Sequence, residues 1–232
     1  MKKAFIVLTV VVLLAGCTTF ESVMSAMSEP MVDSANILPK MEFTILYATS
    51  AAFGGYAFGE DQFPVGTGVT WQVISAENGS EIDMTRAKLS PGGAGAFWWS
   101  LEMVSDDQDY YYEFLVDKDD VILKVRYRDT QSGNVKEFVP DPFDSEDEEP
   151  LPEDYSDYIV GKERITTPAG TFNADKMVFD DPEGSYTATY WIADSVPGKS
   201  VRYVYEDSDE GETVTGELIA VEKGFETVLG SY

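Results

Sequence analysis

Histidine is absent from the 232 residues, and cysteine occurs once, at Cys17. The first absence removes the commonest general base, the relay of a nucleophilic triad and the usual zinc ligand. The second removes internal disulfides, and it leaves the chain beyond Cys17 without thiol chemistry or a thiolate metal site. Positive charge is scarce as well: 16 Lys+Arg against 42 Asp+Glu leave a formal net charge of −26. Such a field repels phosphate backbones, which argues against nucleic acid as a partner, and it disfavours anionic lipid headgroups. It suits a solubilising surface, cationic partners or divalent ions. Neither a Gly-rich phosphate loop nor a G-x-S-x-G elbow occurs. Carboxylates are so numerous that a glycosidase-like pair stays open on spacing alone. No cofactor and no catalytic residue is expected.

What is present begins with a targeting pattern. Met1-Lys2-Lys3 is a short positive start, and Ala4 to Leu14 is an apolar or near-neutral run. That run is shorter than the ~20 residues of a spanning helix but suits the apolar part of a signal peptide. Leu14-Ala15-Gly16-Cys17 follows at once and resembles the lipobox of bacterial lipoproteins. The resemblance implies cleavage between Gly16 and Cys17, by the lipoprotein export and lipidation machinery. It further implies diacylglycerol on the Cys17 thiol and an acyl chain, such as palmitate, on its new amino group. Two or more chains anchor stably where one does not, so the expected partner is a membrane, reached by lipid and not by a spanning segment. Thr18, where an aspartate would imply retention at the inner membrane, points to the outer membrane of the cell envelope, facing the periplasm or the outside. Cleavage removes only Lys2 and Lys3 from the charge count, so the mature chain carries 14 − 42 = −28.

The expected organisation is a signal peptide over 1–16, a lipidated tether over 17–41 and one β domain over 42–232. A short helix around Phe20–Met27 is compatible with the tether, and Glu42–Tyr56 does not separate helix from strand by its pattern. From Gly66 onward the period is two. Val69, Trp71 and Val73 alternate with polar neighbours, Asn78-Gly79 is a hairpin signal, and Glu81–Leu89 follows, with Pro91-Gly92-Gly93 as a turn. Phe97, Trp99, Leu101 and Met103 then share one face, opposite Trp98, Ser100 and Glu102. Tyr110, Tyr112, Phe114 and Val116 are answered by Val121, Leu123, Val125 and Tyr127, with Lys124, Arg126 and Arg128 on the solvent side. A short strand near Val135–Val139 ends the first half. Residues 140–157, PDPFDSEDEEPLPEDYSD, read as an acidic loop that cannot bury enough to order itself. The second half is again a meander, from Tyr158–Thr167 to Val214–Val221. About eleven strands are expected, in a single antiparallel sheet, barrel or sandwich.

Ile165-Thr166-Thr167-Pro168-Ala169-Gly170-Thr171-Phe172, then Tyr190-Trp191-Ile192-Ala193-Asp194, Val196-Pro197-Gly198 and Glu217-Leu218-Ile219 form a longer pattern. It resembles uncharacterised bacterial lipoproteins and periplasmic proteins with a TPAGTF…W…VPG…EL signature. Pro64 to Trp71 looks like their opening strand. These are similar to the wider fold of the periplasmic lipoprotein carrier and its outer-membrane receptor (the Lol system). The resemblance covers roughly residues 64–222. It implies one large, strongly curved antiparallel sheet, an unclosed barrel, with a few short helices near the N-terminus covering its concave side.

Trp71, Trp98, Trp99 and Trp191 are the candidate ligand-facing aromatics, on the reading that the sheet holds an acyl chain or another apolar ligand. Core packing explains the same residues, because strands favour aromatics. Trp98 and Trp99 are adjacent and must point to opposite faces. Asp207, Asp209 and Glu212 loosely match a calcium loop but fall short of its six to eight oxygens. Three functions are therefore carried forward: a non-enzymatic envelope lipoprotein binding lipid or lipoprotein acyl chains, a structural or protein-interaction lipoprotein without a small ligand, and a carboxylate-dependent extracytoplasmic hydrolase.

Overall fold

A computed structural model describes residues 37–53, 63–77, 79–105, 109–140, 156–180, 185–208 and 211–231. Gly16, Cys17, the helix expected at Phe20–Met27, Asn78, Asp209 and most of the acidic loop lie outside the described residues. An α-helix, α1 (Ile37–Phe53), comes first; Pro39 sits in its first turn, where no intrahelical N–H is lost. Eleven strands follow: β1 (Thr67–Ser75), β2 (Glu81–Gly93), β3 (Ala96–Ser105), β4 (Asp109–Val116), β5 (Ile122–Arg128), β6 (Val135–Phe138), β7 (Ile159–Thr167), β8 (Gly170–Asp180), β9 (Tyr186–Ile192), β10 (Ser200–Asp207) and β11 (Thr213–Lys223). No helix among the described residues is long and apolar enough to cross a membrane.

All eleven strands form one unclosed antiparallel sheet in the order β6-β5-β4-β3-β2-β1-β11-β10-β9-β8-β7. The meander β1–β6 runs outward to one edge, and β7–β11 runs inward from the other. The first and last strands therefore pair in the middle, from Thr67↔Lys223 to Ser75↔Val214, with a bulge at Thr70/Trp71. The segment between β6 and β7 joins the two free edges. The sheet curls: β7 touches β10 and β11, and Arg202 of β10 donates to the Thr166 carbonyl of β7 at 3.3 Å.

Alternation, interrupted at bulges, gives the sheet an inner face, which carries the main core, and a back face. Val69, Trp71 and Val73 of β1, Trp99, Leu101 and Met103 of β3, and Tyr112, Phe114 and Val116 of β4 are all buried on the inner face. Gly216 of β11 has no side chain because the Tyr203 ring occupies its place; a Cβ there would lie 1.9 Å from the ring.

Two local readings are corrected. Pro91-Gly92-Gly93 is not the turn: β2 continues through it with bulges at Lys88/Ser90 and Pro91/Gly93, positions that tolerate a proline without a ladder N–H. The chain reverses instead at Ala94 and Gly95, both with positive φ (51° and 87°). Val121 and Leu123 do not join Val125 in the core but are exposed. A bulge at Leu115/Val116 pairs Val116 with Ile122 and breaks the alternation beside the turn.

Candidate functional site

Helix α1 lies across the inner face of the first half of the sheet. Phe43 and Leu46 are fully buried. The Phe43 ring packs against Tyr112, Phe114 and Phe138 at centroid distances of 5.4, 5.6 and 6.0 Å, and Tyr47 meets Phe114 edge-on at 5.6 Å. Edge-to-face pairs of this kind are each worth about 0.5–1.5 kcal/mol beyond area burial. Among the described residues no backbone hydrogen bond joins α1 to the sheet. The contacts among the described residues are made by side chains.

Glu42 makes a polar contact in that attachment. The Tyr112 hydroxyl donates to its carboxylate. Burial raises the Glu42 carboxyl above its ordinary range, although the Tyr112 hydrogen bond works in the opposite direction. Burial and then the Glu42 charge push Tyr112 well above the ordinary phenol range and Tyr110 to about 12. Both phenols stay protonated at physiological pH.

Arg86 and Lys88 bring positive charge to this face. Arg86 of β2 is 1% exposed, and its guanidinium carbon lies 5.4 Å from the Tyr47 ring, 5.0 Å from Trp99 and 5.2 Å from Phe114. Lys88 places its ammonium 4.1 Å from the Phe97 centroid and 5.2 Å from Trp99. Burying a guanidinium is costly, and three aromatic faces offset part of that cost. The second half of the inner face carries a further aromatic row. Tyr158 stacks on Phe179 at 4.6 Å, Phe179 meets Tyr190 at 5.8 Å, and Tyr190 meets Tyr203 at 5.9 Å.

The four candidate tryptophans do not form one site. Trp71 and Trp99 lie on the inner face, both buried. The Trp71 indole donates to the Ser200 carbonyl at 3.3 Å, and Trp99 packs edge-on to Phe63 at 5.2 Å. Trp98 is buried on the back face with Ala87 and Leu89, and the Arg126 guanidinium lies 5.5 Å from its ring. Trp191 is half-buried on the back of the second half, donating to Glu163 at 2.9 Å beneath the Lys176 ammonium at 5.4 Å. Of the calcium candidates, Asp207 is half-buried and Glu212 buried; their backbones close the β10–β11 turn, with Asp207 N–H donating to the Glu212 carbonyl at 2.8 Å. Among the described residues no three metal-ligating side chains come together.

Sequence reasoning missed Arg86, although strand parity could have found it: Ile82, Met84, Arg86 and Lys88 share one side of β2. It also set Arg126 on the solvent side, whereas Arg126 is buried against Glu113, 3.6 Å away. No signal within β4 or β5 could have shown this, because the cover comes from the C-terminal segment.

No family model matches the chain, and no curated protein matches its sequence. Among solved structures, a candidate lipoprotein of Parabacteroides distasonis is similar at 12% identity and a TM-score of 0.38, over 72% of this chain and 98% of that one. MucB of Pseudomonas aeruginosa, solved with MucA, matches at 12% identity and a TM-score of 0.43, over 77% of this chain and 59% of the other. A domain from Vibrio parahaemolyticus described as outer-membrane lipoprotein-sorting matches at 10% identity and a TM-score of 0.28, over 69% and 86%. Likenesses this remote say nothing of ligand or activity.

Proposed function

We propose that the chain is a non-enzymatic lipoprotein of the cell envelope, anchored through Cys17, whose β domain binds an acyl chain on the inner face of the sheet beneath α1. The observation that carries the binding reading is the way α1 is attached. Among the described residues it covers an aromatic face with no backbone hydrogen bond to the sheet, so it can lift and expose Phe114 and Tyr112 without breaking the sheet ladder. Outer-membrane placement rests on the lipobox and Thr18. The anchor is tested by Cys17→Ser, which is expected to shift the protein from the membrane to the soluble fraction.

Fatty acids carrying bromine along the chain test the binding face, because bromine quenches indoles at contact. In a Trp98→Phe/Trp191→Phe protein only the inner-face Trp71 and Trp99 emit, since these are the remaining two of 4 tryptophans. Saturable quenching of that protein is the expected result. Quenching confined to the complementary Trp71→Phe/Trp99→Phe protein, or absent from both, overturns the reading.

A specific observation favours the second function, an interaction lipoprotein without a small ligand. The inner face is densely filled: Trp71, Tyr203, Phe43, Phe114 and Leu218 are all but inaccessible. On that reading α1 is permanent core, and neither protein is quenched.

A further inference from the structure

The chain does not end with β11. Gly224 to Ser231 turn back across the outside of the sheet. The Gly224 and Phe225 amides both donate to the Gly66 carbonyl, at 2.8 and 3.1 Å. From there the segment alternates in exposure and bends at Val228 and Leu229, where the Leu229 amide donates to the Thr227 hydroxyl at 3.2 Å. Phe225, Thr227 and Leu229 face the sheet, while Glu226, Val228 and Gly230 are exposed. The Phe225 ring lies over Gly68, where a Cβ would come within 2.5 Å of it, and beside Ala87, Leu89 and Trp98.

Further along, the back face reads the segment's polar groups. The Glu113 carboxylate, 0% exposed, accepts the Thr227 hydroxyl at 2.8 Å and the Val228 amide at 3.0 Å. Arg126 donates to the Leu229 carbonyl at 3.3 Å, and Arg128 donates to the Val228 carbonyl at 3.2 Å. A carboxylate that takes N–H and O–H groups, beside guanidiniums that take carbonyls, is a receptor for the backbone of a bent peptide segment. Gly68 and the surrounding apolar residues make a pocket for an aromatic ring. The buried pair Glu113–Arg126 has little value to a sheet alone, because removing two charges from water is costly unless further hydrogen bonds satisfy them. The segment supplies those bonds.

We infer that the back of the first half-sheet is a peptide-recognition groove with aromatic-x-Thr-x-Leu specificity, and that Gly224–Ser231 is its resident, detachable ligand. The groove lies on the opposite face from the proposed acyl site and does not depend on it. Tethering gives the resident an effective concentration of about a millimolar, so a free segment of the same chemistry competes only when the tethered one is weakened.

Two measurements on the full-length protein test this. In native-state hydrogen exchange, the Val228 and Leu229 amides are expected to open at a free energy clearly below that of the β3 and β4 amides, as a local unit. Opening only together with the sheet overturns the inference. In the second, a fluorescein-labelled peptide of residues 223–231 is titrated into wild type and into Phe225→Ala/Leu229→Ala. The variant is expected to bind at least about tenfold more tightly than wild type, and to lose that binding when Glu113→Gln is added. Mixed dimers of the variant with wild type, joined by a borrowed C-terminal segment, would support the same groove. A folded variant that ignores the peptide, or that binds a scrambled peptide equally, overturns it.

Discussion

Gly216 and Tyr203 show how one position without a side chain settles a neighbour. The ring lies where a Cβ would be, on the buried inner face. Gly216→Ala is expected to cost about 1–3 kcal/mol by overpacking, read from urea unfolding, and Tyr203→Leu in the same chain should recover part of it as a coupling energy. Glu42 gives a pH dependence of defined sign. Its carboxyl is raised by burial, so the folded state holds the proton more tightly than the unfolded one. Its contribution is fully present below the ordinary carboxylate range and is lost as pH rises through the raised value. Glu42→Gln should therefore raise Tm at pH 7 and leave Tm at pH 3 nearly unchanged; equal shifts at both values would contradict the assignment. Parity made much of this scale legible. Trp98 and Trp99 fall on opposite faces, as adjacent strand residues must, and Arg86 was readable by the same rule. Which face receives a cover was not readable, so Arg126 was set in solvent.

Elements were legible where their period was strong and their neighbours were adjacent in sequence. The hairpin β3–β4 follows the alternation and the Pro168-Ala169 turn falls where it was expected, although β7 is exposed on both faces from Ile159 to Arg164. Helix α1 was not legible, because its apolar residues run almost all round and its identity is fixed by docking on Tyr112 and Phe114. The pairing of β1 with β11 has no local signal, since it joins residues about 150 apart in the chain. The C-terminal segment was the least readable element. It is too short to form alone and owes its conformation to Glu113 and Arg126. Arg126→Ala removes one partner of a buried pair and should cost about 3–5 kcal/mol, whereas Glu113→Met with Arg126→Met should cost much less. Chemical denaturation of the two proteins checks the order, and equal losses would contradict the account of the pair.

The whole molecule carries a net charge of −26, and its surface ion pairs, such as Lys124–Glu137 at 2.8 Å and Arg202–Glu217 at 2.7 Å, are worth little individually. Self-repulsion is the larger effect at this scale. Moving from low salt to ~0.1 M, where the screening length is ~10 Å, should raise Tm, and a fall would show that the ion pairs dominate. The central claim is that the inner face, beneath a helix held by side chains, binds an acyl chain. Native mass spectrometry of the chain from Thr18 onward, purified from a bacterial host without detergent, tests it most directly. A fatty acid or phospholipid at near one per protein, lost in Trp99→Ser, is the predicted result; a bare mass that also ignores added fatty acids and phospholipids would contradict it.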